Sequence, residues 1–168
     1  FFNQYQPPFD NVKLRRAVLA AASQQDFVDA VVGEQTDLGR VGVGYFPLAS
    51  PYASTAGMEV LTGPRDLAAA RRMVAESNYK GEPILLMSPS DQPILAQSAQ
   101  VTDALYKSLG LNSQYTSMDW GTLIQRRNSK ELPDKGGWSS YNTGWVGLSV
   151  ASPDTHMKLR GNGPAVTA

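Results

Sequence analysis

The sequence predicts an α/β fold of three layers around a mainly parallel sheet of about four strands. Three observations carry that expectation. Apolar residues recur at helical spacing in several stretches, and short β-favouring runs alternate with the later ones. Ile84–Met87, a helical stretch and Ser113–Met118 follow one another with the length of a right-handed crossover, which makes the two strands parallel. The chain of 168 residues has the length of one domain and contains no repeat or low-complexity segment.

Residues 1–6 read as a short aromatic strand, stopped by Pro7 and Pro8. Asp10 or Asn11 then caps a helix reaching about Ala22, with Leu14, Ala17, Val18 and Ala21 on its inner face. Ser23 with Asp26 resembles a capping box and opens a second helix. Phe27, Val28 and Val31 face inward, and Gly33 ends it. Residues 34–63 lack periodicity and are rich in Gly, Pro, Ser and Thr. A stretch of that length inside a compact domain reads as a wrapping loop. Its glycines do not spell a phosphate-binding fingerprint.

Pro64 is placed to open a third helix, with Leu67, Ala70 and Val74 inward and its end near Asn78. The strand at Ile84–Met87 follows. Asp91 is the expected cap of a fourth helix carrying the stripe Ile94, Val101, Leu105 and Leu109, closed by Gly110. Ser113–Met118 alternates as a strand, and Asp119 caps a fifth helix from Trp120 to about Asn128. A last strand spans about Trp138–Thr143. The remainder, 150–168, reads as loop and tail.

Composition removes several functions. Hydrophobic residues make up 42% of the chain, too many for a disordered one. Fifteen basic and fifteen acidic residues cancel without any like-charge run, so the basic stripe of a nucleic-acid binder is missing. With no cysteine, thiol catalysis and Cys-type zinc sites are excluded. The single histidine, His156, cannot build a multi-His metal site and has no Gly-x-Ser-x-Gly partner motif; it reads as a solvated tail residue. Acidic side chains sit at cap positions or alone, so no acid/base pair is legible. No cofactor is expected.

Two features point to binding. Arg126, Arg127 and Lys130 form a basic cluster that suits either an anion or a helix C-terminus. The run from Trp138 to Gly147 gathers two Trp, one Tyr and several hydrogen-bonding side chains at the carboxyl end of a strand, where open α/β sheets bind ligands. The same run also reads as an aromatic core strand with a tight turn.

Three blocks resemble a known family. The first is Pro7-Pro8-Phe9-Asp10-Asn11-Val12-Lys13-Leu14-Arg15-Arg16-Ala17-Val18. The second is the Asp66–Gly81 helix, from Ala68-Ala69-Ala70-Arg71 to Asn78-Tyr79-Lys80-Gly81. The third runs from Met118-Asp119-Trp120-Gly121-Thr122-Leu123 through Lys135-Gly136-Gly137-Trp138 to Thr143-Gly144-Trp145. In this order they resemble the peptide-type (family 5) extracellular solute-binding proteins of bacterial ABC importers.

The resemblance implies one lobe of a type II periplasmic-binding-protein fold. Residues 1–168 would form a single α/β lobe of a larger two-lobed protein, with 34–63 wrapping it and 150–168 leading to the other lobe. Expected partners are a peptide or similar small solute, the other lobe and ABC permease subunits, with no nucleic acid. The expected location is periplasmic or at the cell surface. Trp145 matches a family Trp that walls the ligand. The Asp three residues beyond it, which pairs with a peptide amine, is replaced by Leu148, with Asp154 as a substitute if the loop shifts. Asn142 stands where some members carry a carboxylate-binding Arg, and Arg127 matches an Arg on the preceding helix. Tyr141, Gly144, Gly147 and Ser149 complete the expected ligand-binding set. Two other readings stay open: a sensor module of a signalling protein with the same fold, and a small α/β enzyme domain.

Overall fold

The computed structural model describes residues 1–156. Six α-helices and three strands alternate: α1 Val12–Ala21, α2 Gln24–Val32, α3 Glu59–Thr62, α4 Leu67–Glu76, β1 Ile84–Pro89, α5 Pro93–Ser108, β2 Ser113–Met118, α6 Trp120–Arg126 and β3 Ser140–Tyr141. The strand order is β2-β1-β3, and both pairings are parallel. In β1, Ile84 and Leu86 face α1, α4 and α5, where Phe9, Leu14, Ala17, Val74 and Tyr106 join them in one core. Met87 faces the other way, into a smaller core with Leu123 of α6, Trp138 and Tyr141. Alternate residues of one strand thus feed two layers of helix, the three-layer α/β architecture expected from the sequence.

Among the described residues the sheet has three strands, not four. Residues 1–6 make a single antiparallel bridge, Phe2 opposite Ser140. Asn3 still donates its backbone N–H to Ser139 O, its side-chain Nδ2 donates to Trp138 O, and its Oδ1 accepts from Tyr5 N where the chain turns away. The stretch still covers the outer edge of β3, which would otherwise expose unpaired backbone groups. The last strand, Ser140–Tyr141, is shorter than Trp138–Thr143; just beyond it the Asn142 side-chain oxygen accepts from the Thr102 hydroxyl on α5 at 3.1 Å.

Helix caps decide several boundaries. Asn11 caps α1, accepting from Lys13 N and Leu14 N, while its own amide reaches Ser77 O and ties α1 to α4. Asp66, not Pro64, starts the next long helix by accepting from Ala69 N. Asp91 does not cap α5. Its carboxylate accepts from Trp120 N instead, joining the starts of α5 and α6, and Gln92 holds the cap position. Ser23 makes no capping hydrogen bond, and Asp26 pairs with Arg65. Phe27, Val28 and Val31 are only half-buried, since α2 lies at the margin of the core. Gly33 ends α2 with a positive φ, a conformation that costs glycine nothing sterically.

The buried face of α5 is Ala99, Thr102 and Tyr106, one residue round from the expected Ile94 and Val101, while the expected Leu109 is buried at the helix end and Leu105 packs against the core. Small Ala99 lets the helix seat closely on the sheet, and Tyr106 packs its ring 5.8 Å from Phe9. Thr102 is tolerated inside because its hydroxyl is hydrogen-bonded to Ser98 O as well as Asn142. Ile94 consequently faces solvent at 60% exposure.

Residues 34–63 contain two short helical turns, Thr36–Leu38 and α3, but are otherwise irregular. They pack against the end of the described chain. The Ser50 hydroxyl donates to Ala151 O (2.5 Å) and accepts from Tyr52 N. His156 is not solvated. It is 8% exposed and stands edge-on to Phe46 and Tyr45, at ring distances of 5.9 and 6.3 Å. The rest of the expected 150–168 tail, from residue 157, lies outside the described residues.

Candidate ligand-binding site

Because the strands are parallel, their carboxyl ends meet at one edge of the sheet. Pro89, Met118 and Tyr141 end β1, β2 and β3 there. The loops beyond them are bound together. Ser90 N donates to Met118 O at 2.7 Å, and Trp120 N to Asp91 Oδ1 at 2.8 Å. Asp119 caps α6 through Thr122, and the Thr122 hydroxyl and N–H hold its carboxyl below the usual range.

From β3 the chain continues through Asn142 and Thr143 into an exposed turn. Trp145 is 42% exposed, Val146 75% and Leu148 83%. Three large apolar side chains facing solvent within four residues are unusual for a turn that serves packing alone. Gly144 passes close to the start of α5, where a Cβ would lie 3.8 Å from a Leu95 methyl. Gly147 lies against the wrapping loop, and a Cβ there would meet Pro47 Cγ at 3.4 Å. The Ser149 hydroxyl and N–H both donate to Val146 O, closing the turn on itself.

Of the expected set, Tyr141, Asn142, Gly144, Trp145, Gly147, Leu148 and Ser149 form one continuous run beyond the sheet edge. Tyr141 is its buried root, stacked on Phe1 and edge-on to Trp138. Arg127 is placed elsewhere. It follows α6 on the other face of the sheet, and its Nε is buried without a hydrogen-bond partner. Its charge bears on the Tyr141 hydroxyl: burial pushes that group up, and the Arg127 guanidinium opposes the shift. Arg126, its neighbour, is spent on structure, donating to Gly137 O and Pro133 O. Leu148 carries no charge, and the first turn of α5, with Gln92 and Ile94, joins the same edge. Those last two were legible from the strand-end rule applied to β1, which sequence reading applied only to the last strand. Among the described residues no group of three His, Asp or Glu is placed to hold a metal ion.

The exposed aromatic turn thus lies at the carboxyl edge of a parallel sheet, the place where open α/β sheets bind ligands. The chain belongs to the bacterial extracellular solute-binding proteins, family 5, whose model (described as the family's middle part) matches residues 1–165. It is 30% identical over 96% of its length to a probable peptide ABC transporter periplasmic-binding protein of Sinorhizobium fredii, covering 30% of that protein. Among solved structures it resembles an ABC transporter substrate-binding protein, CtaP, from Listeria monocytogenes, with TM-score 0.64, 18% identity, and coverage of 95% of this chain and 31% of that one. A dipeptide-binding protein from a Pseudoalteromonas species, solved with Met-Leu, gives TM-score 0.64 and 22% identity, covering 93% of this chain and 29% of that one. The chain thus spans about 30% of the length of the relatives it matches.

Proposed function

We propose that this chain is the ligand-binding lobe of a two-lobed bacterial receptor that captures a peptide or similar small solute and delivers it to an ABC permease, acting outside the cytoplasm and without catalysis. The observation that carries this reading is the exposed aromatic turn around Trp145, set at the carboxyl edge of three parallel strands. Family membership and the names of the relatives support it.

Trp145 supplies an apolar wall on which the solute lies. Asn142 has its oxygen held by Thr102, which aims the remaining amide N–H groups for donation. Gly144 and Gly147 bring bare backbone to the turn, and Ser149 keeps it closed. Leu148 gives the solute an apolar neighbour where a carboxylate would hold an ammonium group. Arg127, paired with Tyr141, offers positive charge from beneath. The second lobe contributes the opposite wall, and solute favours closure only through contacts it makes more strongly in the closed state.

Native mass spectrometry of the full-length protein, purified without added solute, identifies what it retains. Calorimetric titration with that solute then tests the site. Trp145→Ala is expected to weaken binding by at least about tenfold, as for a buried aromatic anchor. Unchanged affinity would show that the site is elsewhere.

A further inference from the structure

We propose that the recess between α1, α2, α5 and the end of β3 is a specificity pocket for an uncharged arm of the solute about one ring in size, an inference that rests on the solute-receptor reading above. The recess has a volume of about 180 Å³, and its walls include Phe2, Phe27, Leu105 and Tyr106, with Ser140 and Asn142 at the β3 end. Asn142 belongs both to this recess and to the run leading to Trp145, so the pocket adjoins the proposed site.

Size and charge define the occupant. An apolar cavity of roughly 150 Å³ holds benzene, so this one admits a phenyl ring or a branched aliphatic side chain. None of its lining residues is acidic or basic, and a charged arm would lose its hydration with nothing to pair it. Burial pushes the Tyr106 phenol up, so that group is neutral as well. Ser140 is 2% exposed, and its hydroxyl lies against the Tyr106 hydroxyl at this end of the recess. Thr102 holds Asn142 at the β3 end by its side-chain oxygen, so this end of the pocket is preorganised.

The test uses the full-length protein and four probes: trialanine and the three tripeptides in which one Ala is replaced by Phe. One Phe peptide is expected to bind at least about tenfold tighter than trialanine, the scale of discrimination by apolar pockets. Leu105→Phe fills the recess and should abolish that preference while leaving trialanine affinity unchanged. Phe27→Ala enlarges it and should shift the preference from Phe to Trp at the same peptide position; it serves alone if a melting curve shows Leu105→Phe unfolded. Equal loss for all four peptides, or a preference untouched by the variants, overturns the pocket while sparing the receptor reading. If no tripeptide binds, the peptide reading falls. A phenol titration followed by the Ser140 and Asn142 amide resonances then decides the pocket separately: saturable shifts support it, and their absence overturns it.

Discussion

Leu148 is the side chain on which the proposed binding surface departs from the family resemblance. It stands where the family resemblance places a carboxylate, in a turn whose geometry comes from Ser149 and Val146 rather than from Leu148 itself. Its side chain is exposed and packs against little, so replacing it costs the fold little. Leu148→Asp is therefore expected to change stability by less than about 0.5 kcal/mol. In the full-length protein it should raise affinity for a peptide with a free amino terminus over its acetylated counterpart. Paired calorimetric titrations of the two peptides check this; equal affinities would mean the turn does not face the amine. That Asn142, Trp145 and Leu148 fall in one run beyond β3 was legible, because residue types and spacing carried the resemblance. That Arg127 comes near Tyr141 on the α6 face of the sheet was not, since two residues fourteen apart in sequence meet only through the packing of α6 on β3.

Among the elements, α1 and α6 follow their sequence signals closely. Asn11 and Asp119 each sit just before an apolar periodic run and each accepts the orphan N–H groups of a first turn. For Asp119 the consequence depends on pH. Its carboxyl is held below the ordinary 3.8 by Thr122, so its contribution to stability is present above that value. It is lost as pH falls through the lower folded-state value. Asp119→Asn keeps a cap without the charge. The advantage of the native protein over this variant, read from denaturation midpoints, should shrink as pH is lowered from about 6 towards about 2. An advantage constant across that range would show that the carboxylate charge is immaterial. Elsewhere a tertiary partner overrode the local signal. Asp91 looked like a cap but bridges to Trp120 N. The inner face of α5 rotated by one residue because close seating on the sheet favours Ala99 over bulkier neighbours, and because Thr102 has two hydrogen-bond partners.

Across the whole molecule, the wrapping segment and the exposed turn after β3 are packed together. Ser50 bridges Tyr52 N and Ala151 O, Pro47 lies under Gly147, and His156 closes on Tyr45 and Phe46. The loop that reads in sequence as a mere wrap thus buttresses the segment from 147 to 156. Ser50→Ala removes a bridging hydroxyl and is expected to cost about 1 kcal/mol. Hydrogen exchange should quicken together at the amides of residues 50–53 and 149–156, leaving β1 and β2 unchanged. Faster exchange in only one of the two segments would show that they are not coupled.

Three-layer α/β class, the parallel pair β1 and β2, and the family follow from the sequence alone, because they rest on local periodicity, crossover length and contiguous motifs. The three-strand count, the burial of His156, the recess beside Ser140 and the placement of Arg127 were decided by tertiary structure. Each depends on groups far apart in the chain meeting: Phe2 with Ser140, Phe46 with His156, Phe27 with Leu105, and Arg127 with Tyr141. Periodicity states which face of an element is apolar. It does not state which other element covers that face, and that pairing is what turns a strand end into a site.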